Sequence, residues 1–357
     1  MQIDFHHAVT YVLARLAGFS ADDAEIIGHA SQYVDDATNE GIVKFTNGAM
    51  YRRISSAHQV IDLQNIDDVI NHRVWVPFHF LPGNGGLEAG ESPGGGFINK
   101  LVCTPDSFVA EEMLACCIAD SRKPYALHRL GITIHVLSDT FAHQGFAGVI
   151  HDINDISELD YDGGAESHSI FKEFFDRMKI SLIDATLPLG HGAALACPDL
   201  PYLKWRYANR LNQSFARDNT AIFMAAVQSI YNSLKKYRDN TAGRIVTGQI
   251  SIQDMERIKR NFSEFTDEKG DARHRRWAGS IAAGDFSFGS EEISYIPKGR
   301  GSWKYQALNT EHDHDISKYI YSERFLRSNW KMFHDALQKH QFEVIHDILP
   351  RYGICVS

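Results

Sequence analysis

The sequence predicts an all-α, mainly helical fold with long loops and at most a small β-hairpin. Three observations carry this expectation. Apolar residues recur at helical spacing in most segments, and Gly- and Pro-rich stretches separate those segments. The most apolar stretch, His128 to Gly148 (HRLGITIHVLSDTFAHQGFAG), runs on without a proline. No internal repeat, linker or low-complexity tract divides residues 1–357, so one domain is expected, with 240–357 as a C-terminal elaboration.

Phe5, Ala8, Val9, Val12, Leu13 and Leu16 predict a first helix from about Asp4 to Leu16, which turns His6 or His7 inward. A second helix is expected after Ser20, capped toward Asp23 and ending at Asp35 and Asp36. Two carboxylates at a helix C-terminus face the negative end of its dipole, at a cost of up to about 1 kcal/mol per charge. A cation is expected there, from Arg52, Arg53 or a metal; otherwise both carboxylates are solvated.

Gly41 to Ile54 reads as turns and short extended structure, and Ser56 to Ile70 as a helix. The run VWVPFHFLPGNGG then reads as extended, with Pro77 excluding a central strand and His79 set between Phe78 and Phe80. His79 is suited to enter a site from the side, or to pack against backbone. Gly83 to Gly96 holds seven glycines and lacks a P-loop lysine, which excludes phosphate cradling of that type and leaves a surface loop or lid. Asp106 to Asp120 is the next expected helix.

The central stretch carries the chemistry. His135, Asp139 and His143 are spaced i, i+4, i+8, a stripe that drifts only about 40° per step on a helix. Their neighbours are apolar enough to bury the helix, and buried His and Asp need partners. A shared metal supplies one; hydrogen-bonded core histidines are the alternative. His128 lies about 10 Å further along the same stripe and cannot reach that metal.

Beyond Gly148 an acidic, turn-rich connection leads to a helix over Ile170 to Ile183. His191 follows between two glycines, and Asp199 between Pro198 and Pro201, both marks of a fixed polar site. Trp205 and Tyr207 are expected to lead into a long helix, Ala208 to Tyr237. A helix over Ser251 to Phe265, a basic turn at Arg273 to Arg276, and an aromatic Gly-rich segment that forms a hairpin or a pocket wall come next. The last helix is expected over Ser322 to Leu349.

The net charge of −9 argues against a general polyanion-binding surface, so no stable nucleic-acid binding is expected. Five cysteines without a CxxC pair fit neither a disulfide framework nor a cysteine zinc site. The N-terminus has no basic n-region, and no stretch reaches the roughly 18 apolar residues of a membrane span. A soluble cytoplasmic protein is the simplest expectation; oligomeric state is not legible.

The motifs DFHHAVTYVLARLAGF, SQYVDDAT, WVPFHFLPG, HRLGITIHVLSDTFAHQG and GHG through PDLPYLKW resemble those of an uncharacterised bacterial domain family, over most of the chain. At greater distance the layout is similar to the zinc-dependent phospholipase C and single-strand nuclease superfamily. That resemblance implies a helical domain whose metal ligands are His6 or His7, Asp35 or Asp36, His79, His135, Asp139, His143 and His191. It makes Asp139 the bridging carboxylate and, with Asp35, the catalytic carboxylate. Members of the superfamily also use a mature N-terminal amino group as ligand. Here the chain starts at Met1 without a leader-like segment, so one or two ions are expected rather than three.

The leading expectation is a metal-dependent hydrolase of a small-molecule or lipid phosphoester, or of a nucleotide phosphodiester. Imidazole ligands favour zinc, with manganese or iron as alternatives. A non-catalytic scaffold stabilised by a closed metal site is the competing class. A di-iron oxidase, suggested by the ExxH spacings Glu311 to His314 and Glu343 to His346, lacks the further helical Glu it would need.

Overall fold

A computed structural model describes residues 1–57, 68–161, 194, 196–239 and 248–356. Helices dominate, at about 54% of residues, but about 10% is strand, in two antiparallel sheets. The fold is therefore mixed rather than all-α. The expected helix Ile170 to Ile183 and His191 lie outside the described residues, as does the 58–67 part of the helix expected from Ser56.

The chain opens on a π-helical turn, Asp4–Val9, that continues as α1 (Thr10–Leu16) and is followed by α2 (Ala21–Asp36). Ser20 caps α2 by accepting from the Asp23 amide at 3.1 Å. The hairpin β1 (Gly41–Lys44) and β2 (Met50–Arg53) pairs Gly41 with Arg53 and Lys44 with Met50. After α3 (Asp68–Phe78), the short α4 (Ile98–Leu101) and α5 (Phe108–Ala119) lead to the central α6 (Ala126–Ala142).

A three-stranded sheet, β3 (Ile156–Tyr161), β4 (Lys204–Asn209) and β5 (Ser214–Asp218), has β4 in the middle. The helices α7 (Asn219–Arg238), α8 (Ile252–Glu264), α9 (Gly270–Ala282), α10 (Trp303–Leu308) and α11 (Asn329–Phe342) complete the order, with a π-helical turn Glu343–Ile348 after α11. From His128 to Ala142 every residue of α6 is buried, because α2, α5, α7 and α11 surround it.

Several segments depart from their expected form. Trp75 to Phe78 is helical rather than extended, with Pro77 in the last turn of α3. Proline cannot donate to the carbonyl four residues back, that of Arg73. Gln341 satisfies this carbonyl instead, at 2.8 Å, and His340 Nε2 donates to the Pro77 carbonyl at 2.9 Å. Tertiary partners thus make the helix tolerable where local preference speaks against it.

The helix expected from Ala208 starts only at Asn219, because Lys204 to Asp218 forms the β4–β5 hairpin. Trp205 and Tyr207 are buried between exposed Lys204 and Arg206, a period-two alternation present in KWRYAN, and Asn212 turns the chain at φ 57°. Arg273 to Arg276 lies inside α9 rather than in a turn. In the C-terminal segment Leu326 is exposed instead of core. All five cysteines are free, as their spacing implied.

Candidate metal centre

Gly131 lets α2 and α6 come close: a Cβ there would stand 2.5 Å from the Ile27 carbonyl oxygen and 2.6 Å from the Ala30 Cβ. That contact puts His135, one turn on, where its Nδ1 donates to the Ser31 carbonyl at 2.8 Å. It also sets the end of α2, with Asp35, beside Asp139. His79 enters from the residue after α3, His6 from the N-terminal turn, and Asp199 from the 3₁₀ turn Cys197–Asp199.

His143 lies just past the end of α6 as its C-cap, not on the helix as its spacing suggested. Arg217 from β5 secures that end by donating to the carbonyls of Phe141, Ala142 and Gln144 at 3.1, 2.9 and 3.0 Å. A cation at a helix C-terminus also opposes the helix dipole.

Each histidine has one ring nitrogen fixed by hydrogen bonding. His135 Nδ1 donates to Ser31, His79 Nε2 to the Ser56 carbonyl at 2.8 Å, and His143 Nδ1 to the His79 carbonyl at 2.7 Å. The Ser138 hydroxyl donates to the His135 carbonyl at 2.7 Å, so its oxygen accepts from His6 Nδ1 at 3.2 Å. A neutral ring that donates at one nitrogen offers a bare lone pair at the other.

The bare atoms converge. His79 Nδ1 and His135 Nε2 are 3.2 Å apart, each 3.3 Å from Asp139 Oδ2 and 3.8 Å from Asp35 Oδ1. Donors about 2.0–2.2 Å from a tetrahedral zinc lie roughly 3.3–3.6 Å from one another; the three edges among His79, His135 and Asp139 lie close to that spacing, and Asp35 stands slightly further out.

The other oxygen of Asp139 faces a second group. Oδ1 accepts from the Met1 α-amino group at 2.7 Å and is 3.2 Å from His6 Nε2, which is buried and makes no hydrogen bond in this geometry. The Met1 nitrogen also lies 3.2 Å from Asp199 Oδ1, which is 3.9 Å from His143 Nε2. Asp139 therefore sits between two clusters of donors, one on each oxygen.

The electrostatics follow this layout. Burial disfavours a charged Asp139, but the Met1 ammonium and His143, His135 and His6 hold its carboxyl well below the usual range. Burial would likewise lower the Met1 amine, yet Asp139 and Asp199 raise it to about 11. Burial, reinforced by His135, lowers His6 to about 3, so that ring stays neutral. His79 is raised despite burial, through its bond to Asp139 and the charge of Asp35. Positive charge is favoured at the centre of the group.

The members of each pair have different surroundings. His6 faces Asp139, whereas His7 points away, with its Nδ1 2.8 Å from His274 Nε2. Asp35 faces the histidines; Asp36 accepts from the Tyr295 hydroxyl at 2.6 Å and from Gln32 at 3.2 Å. His128 bonds to Asn329 at 3.1 Å, away from the group. Glu343, of the second ExxH, pairs with Arg129. Sequence reasoning missed Met1, Tyr295 and His274, whose roles depend on long-range contacts, and Gln32, which bonds Asp35 and Asp36 one turn on; Asp199 was marked only by its flanking prolines.

A cavity of ≈860 Å³ opens over the group, lined by Asp35, His79, Asp139, His143 and Asp199 on one side. Trp75, Phe80 and Tyr295 give it aromatic surface, and His274 and Arg275 of α9 bring basic groups to it. Of the two forms left open for the segment after α9, a hairpin or a pocket wall, Tyr295 and Pro297 take part in a cavity wall. No helix among the described residues is long and apolar enough to cross a membrane. No curated protein and no solved structure matches the chain. A family model does match residues 1–348, nearly the whole sequence, and the chain belongs to that family, a family of unknown function (DUF6765).

Proposed function

We propose that this protein is a metal-dependent hydrolase of phosphoesters. The carrying observation is the set of bare imidazole nitrogens and carboxylate oxygens that meet around Asp139 at the floor of an ≈860 Å³ cavity. Imidazole-rich donors favour zinc, with manganese or iron as alternatives. Asp35, His79 and His135 would hold one ion, with Asp139 Oδ2 3.3 Å from both imidazole nitrogens, and His6 with Asp139 Oδ1 would contribute to a second. Such ions supply Lewis acidity at a phosphoryl oxygen and lower the pKa of water.

The chain's own groups supply the remaining functions. The backbone carbonyls of Ser31, Ser56 and His79 fix the imidazole tautomers. Asp35, with 34% of its side chain exposed, leaves the group open to the cavity rather than closed as in a structural site. The aromatic surface suits an apolar moiety, and Arg275 and His274 suit an anionic one. The order of donors along the chain, similar to that of the phospholipase C and single-strand nuclease superfamily, favours a phosphoester over other substrates.

The test is hydrolysis of a panel of phosphomonoesters, phosphodiesters and phospholipids by metal-replete protein. Turnover of at least one class, abolished by Asp139→Asn and by chelation, is expected. Metal bound at full occupancy with no turnover across the panel would leave the scaffold role and overturn this reading.

A further inference from the structure

Away from the cavity, β1 and β2 are extended by a third strand-like segment. Phe45 and Tyr319 form a parallel bridge, with the Tyr319 amide donating to the Lys44 carbonyl at 2.8 Å and the Thr46 amide to the Tyr319 carbonyl at 2.9 Å. Side chains alternate between faces along each strand. Val43, Phe45, Arg53 and Tyr319 are buried against the core, so Ile42, Lys44, Met50, Arg52, Lys318 and Ile320 point outward.

The composition of that outward face is unusual for this chain. Ile42, Met50 and Ile320 are 56%, 68% and 81% exposed. Across the hairpin each aliphatic side chain stands opposite a basic one, Ile42 with Arg52 and Met50 with Lys44. Within the paired strands the outward positions are Ile42, Lys44, Met50 and Arg52 and none is acidic, the exposed Glu40 standing just before the first strand, although the whole chain carries a net charge of −9. Lys44, Arg52 and Lys318 make no side-chain ion pair among the described residues. What sets this face apart is that its three exposed aliphatic side chains share one sheet surface with three cations.

We propose that this face docks on an anionic lipid surface. Aliphatic side chains that protrude between lysines and arginines can enter the boundary between headgroups and acyl chains while the cations meet lipid phosphates. A soluble acidic partner would use the three cations but give Ile42, Met50 and Ile320 nowhere apolar to go. The proposal is independent of the hydrolase reading, since it concerns binding by a surface distinct from the cavity lining, and its failure is distinguishable because the readout is binding alone.

The test is sedimentation of the full chain with vesicles of equimolar phosphatidylglycerol and phosphatidylcholine, compared with phosphatidylcholine alone. Binding to the anionic vesicles only is expected. Combining Lys44→Glu, Arg52→Glu and Lys318→Glu should weaken it about a hundredfold or more, at roughly a factor of five per cation removed. Combining Ile42→Ser, Met50→Ser and Ile320→Ser should retain binding at low salt and lose it at physiological salt. Unchanged thermal unfolding of each variant certifies that it folds; a variant that does not is replaced by the corresponding single substitutions. Failure of the wild type to bind anionic vesicles at low salt, or undiminished binding by the charge variant, overturns the proposal. So does an aliphatic variant that binds vesicles like the wild type while soluble polyglutamate binds as tightly, since the face then serves an acidic polypeptide.

Discussion

His79 Nδ1 and His135 Nε2 stand 3.2 Å apart, while the other nitrogen of each ring donates to a backbone carbonyl. In their neutral forms two lone pairs therefore face each other, and both face Asp139 Oδ2 at 3.3 Å. Three acceptor-type atoms in a buried site repel unless a cation lies between them. A proton on His79 relieves part of this, and a metal relieves all of it. The protein is accordingly expected to bind zinc or a similar ion at one equivalent or more, by elemental analysis after purification without added metal. His135→Ala and Asp139→Ala should each remove most of it. Chelation should lower the unfolding midpoint, since an ion at a hundred times its Kd stabilises by about 2.7 kcal/mol. Metal-free protein whose unfolding is indifferent to chelator would sink the idea.

Asp35 and Asp36 are neighbours with different surroundings, and isosteric substitutions should separate them. Asp35→Asn removes a charge 3.8 Å from both His79 and His135 and should lower metal content sharply. Asp36→Asn weakens an acceptor for Tyr295 and Gln32, for a stability loss of about 1 kcal/mol with metal content retained. Equal metal content in both variants would mean that neither carboxylate is a ligand.

Much of this group was legible in the sequence because its donors occur where helical phase is strong. His135 and Asp139 share a face at i, i+4, and Asp35 lies in the last turn of a helix whose start is marked by its cap at Ser20. His143 was placed on the helix, although the last helical residue is Ala142; the i+8 spacing does not reveal a helix end that Arg217 fixes from a distant strand. The β4–β5 hairpin was missed because a long apolar helix follows it and its own alternation spans only six residues of β4. Which of His6 and His7 faces Asp139 was not decidable locally. That choice follows from the π-helical turn Asp4–Val9, which shifts the helical phase, and from His274, which receives His7 from 267 residues away.

Gly131 should be intolerant of even one methyl group. A Cβ there meets the Ile27 carbonyl, the Ala30 Cβ and, at 3.0 Å, the Ser31 amide nitrogen, all on a helix that cannot yield locally. Gly131→Ala is expected to cost about 1–3 kcal/mol by overpacking, against a helix-propensity gain of under about 1 kcal/mol. It should also reduce metal affinity, by moving Ser31 away from His135. Denaturant unfolding reads the first effect and metal titration the second; a stabilised variant would show that α2 and α6 are not in this contact.

Histidines outside the site make stability fall in acid. Burial lowers His29, His334 and His340 to about 3 and His128 to about 4, whereas an unfolded histidine titrates near 6.5. Between those values the unfolded chain binds more protons than the folded one, so stability is lost as pH drops below 6.5. Each such group adds up to about 1.4 kcal/mol per pH unit to the slope. His340→Gln, which retains a donor for the Pro77 carbonyl, should reduce that slope by up to one proton. Urea midpoints of wild type and variant between neutral pH and pH of about 5 measure it; parallel curves would contradict the assignment of a neutral buried His340.

The N-terminal turn is tied down by Arg273, and its removal should be costly in a diagnostic way. Arg273 Nε donates to Asp4 Oδ2 at 2.6 Å and Nη2 to Gln2 Oε1 at 2.8 Å, with both charged side chains at most 1% exposed. Truncating one partner of a buried pair leaves the other charge without compensation, which costs about 3–5 kcal/mol. Arg273→Met should be destabilising to that degree. It should also disturb the site, because Gln2 and Asp4 flank the chain between Met1 and His6, two groups that face Asp139. Asp4→Leu combined with Arg273→Met removes both charges, and a hydrophobic pair can replace a buried ion pair with little loss. The double variant is therefore expected to recover most of the lost stability. Its metal affinity should recover as well, if Arg273 acts only by holding the turn in place. Additive losses in the double-mutant cycle would show that the two side chains do not compensate each other, and that the turn is held by its apolar contacts instead.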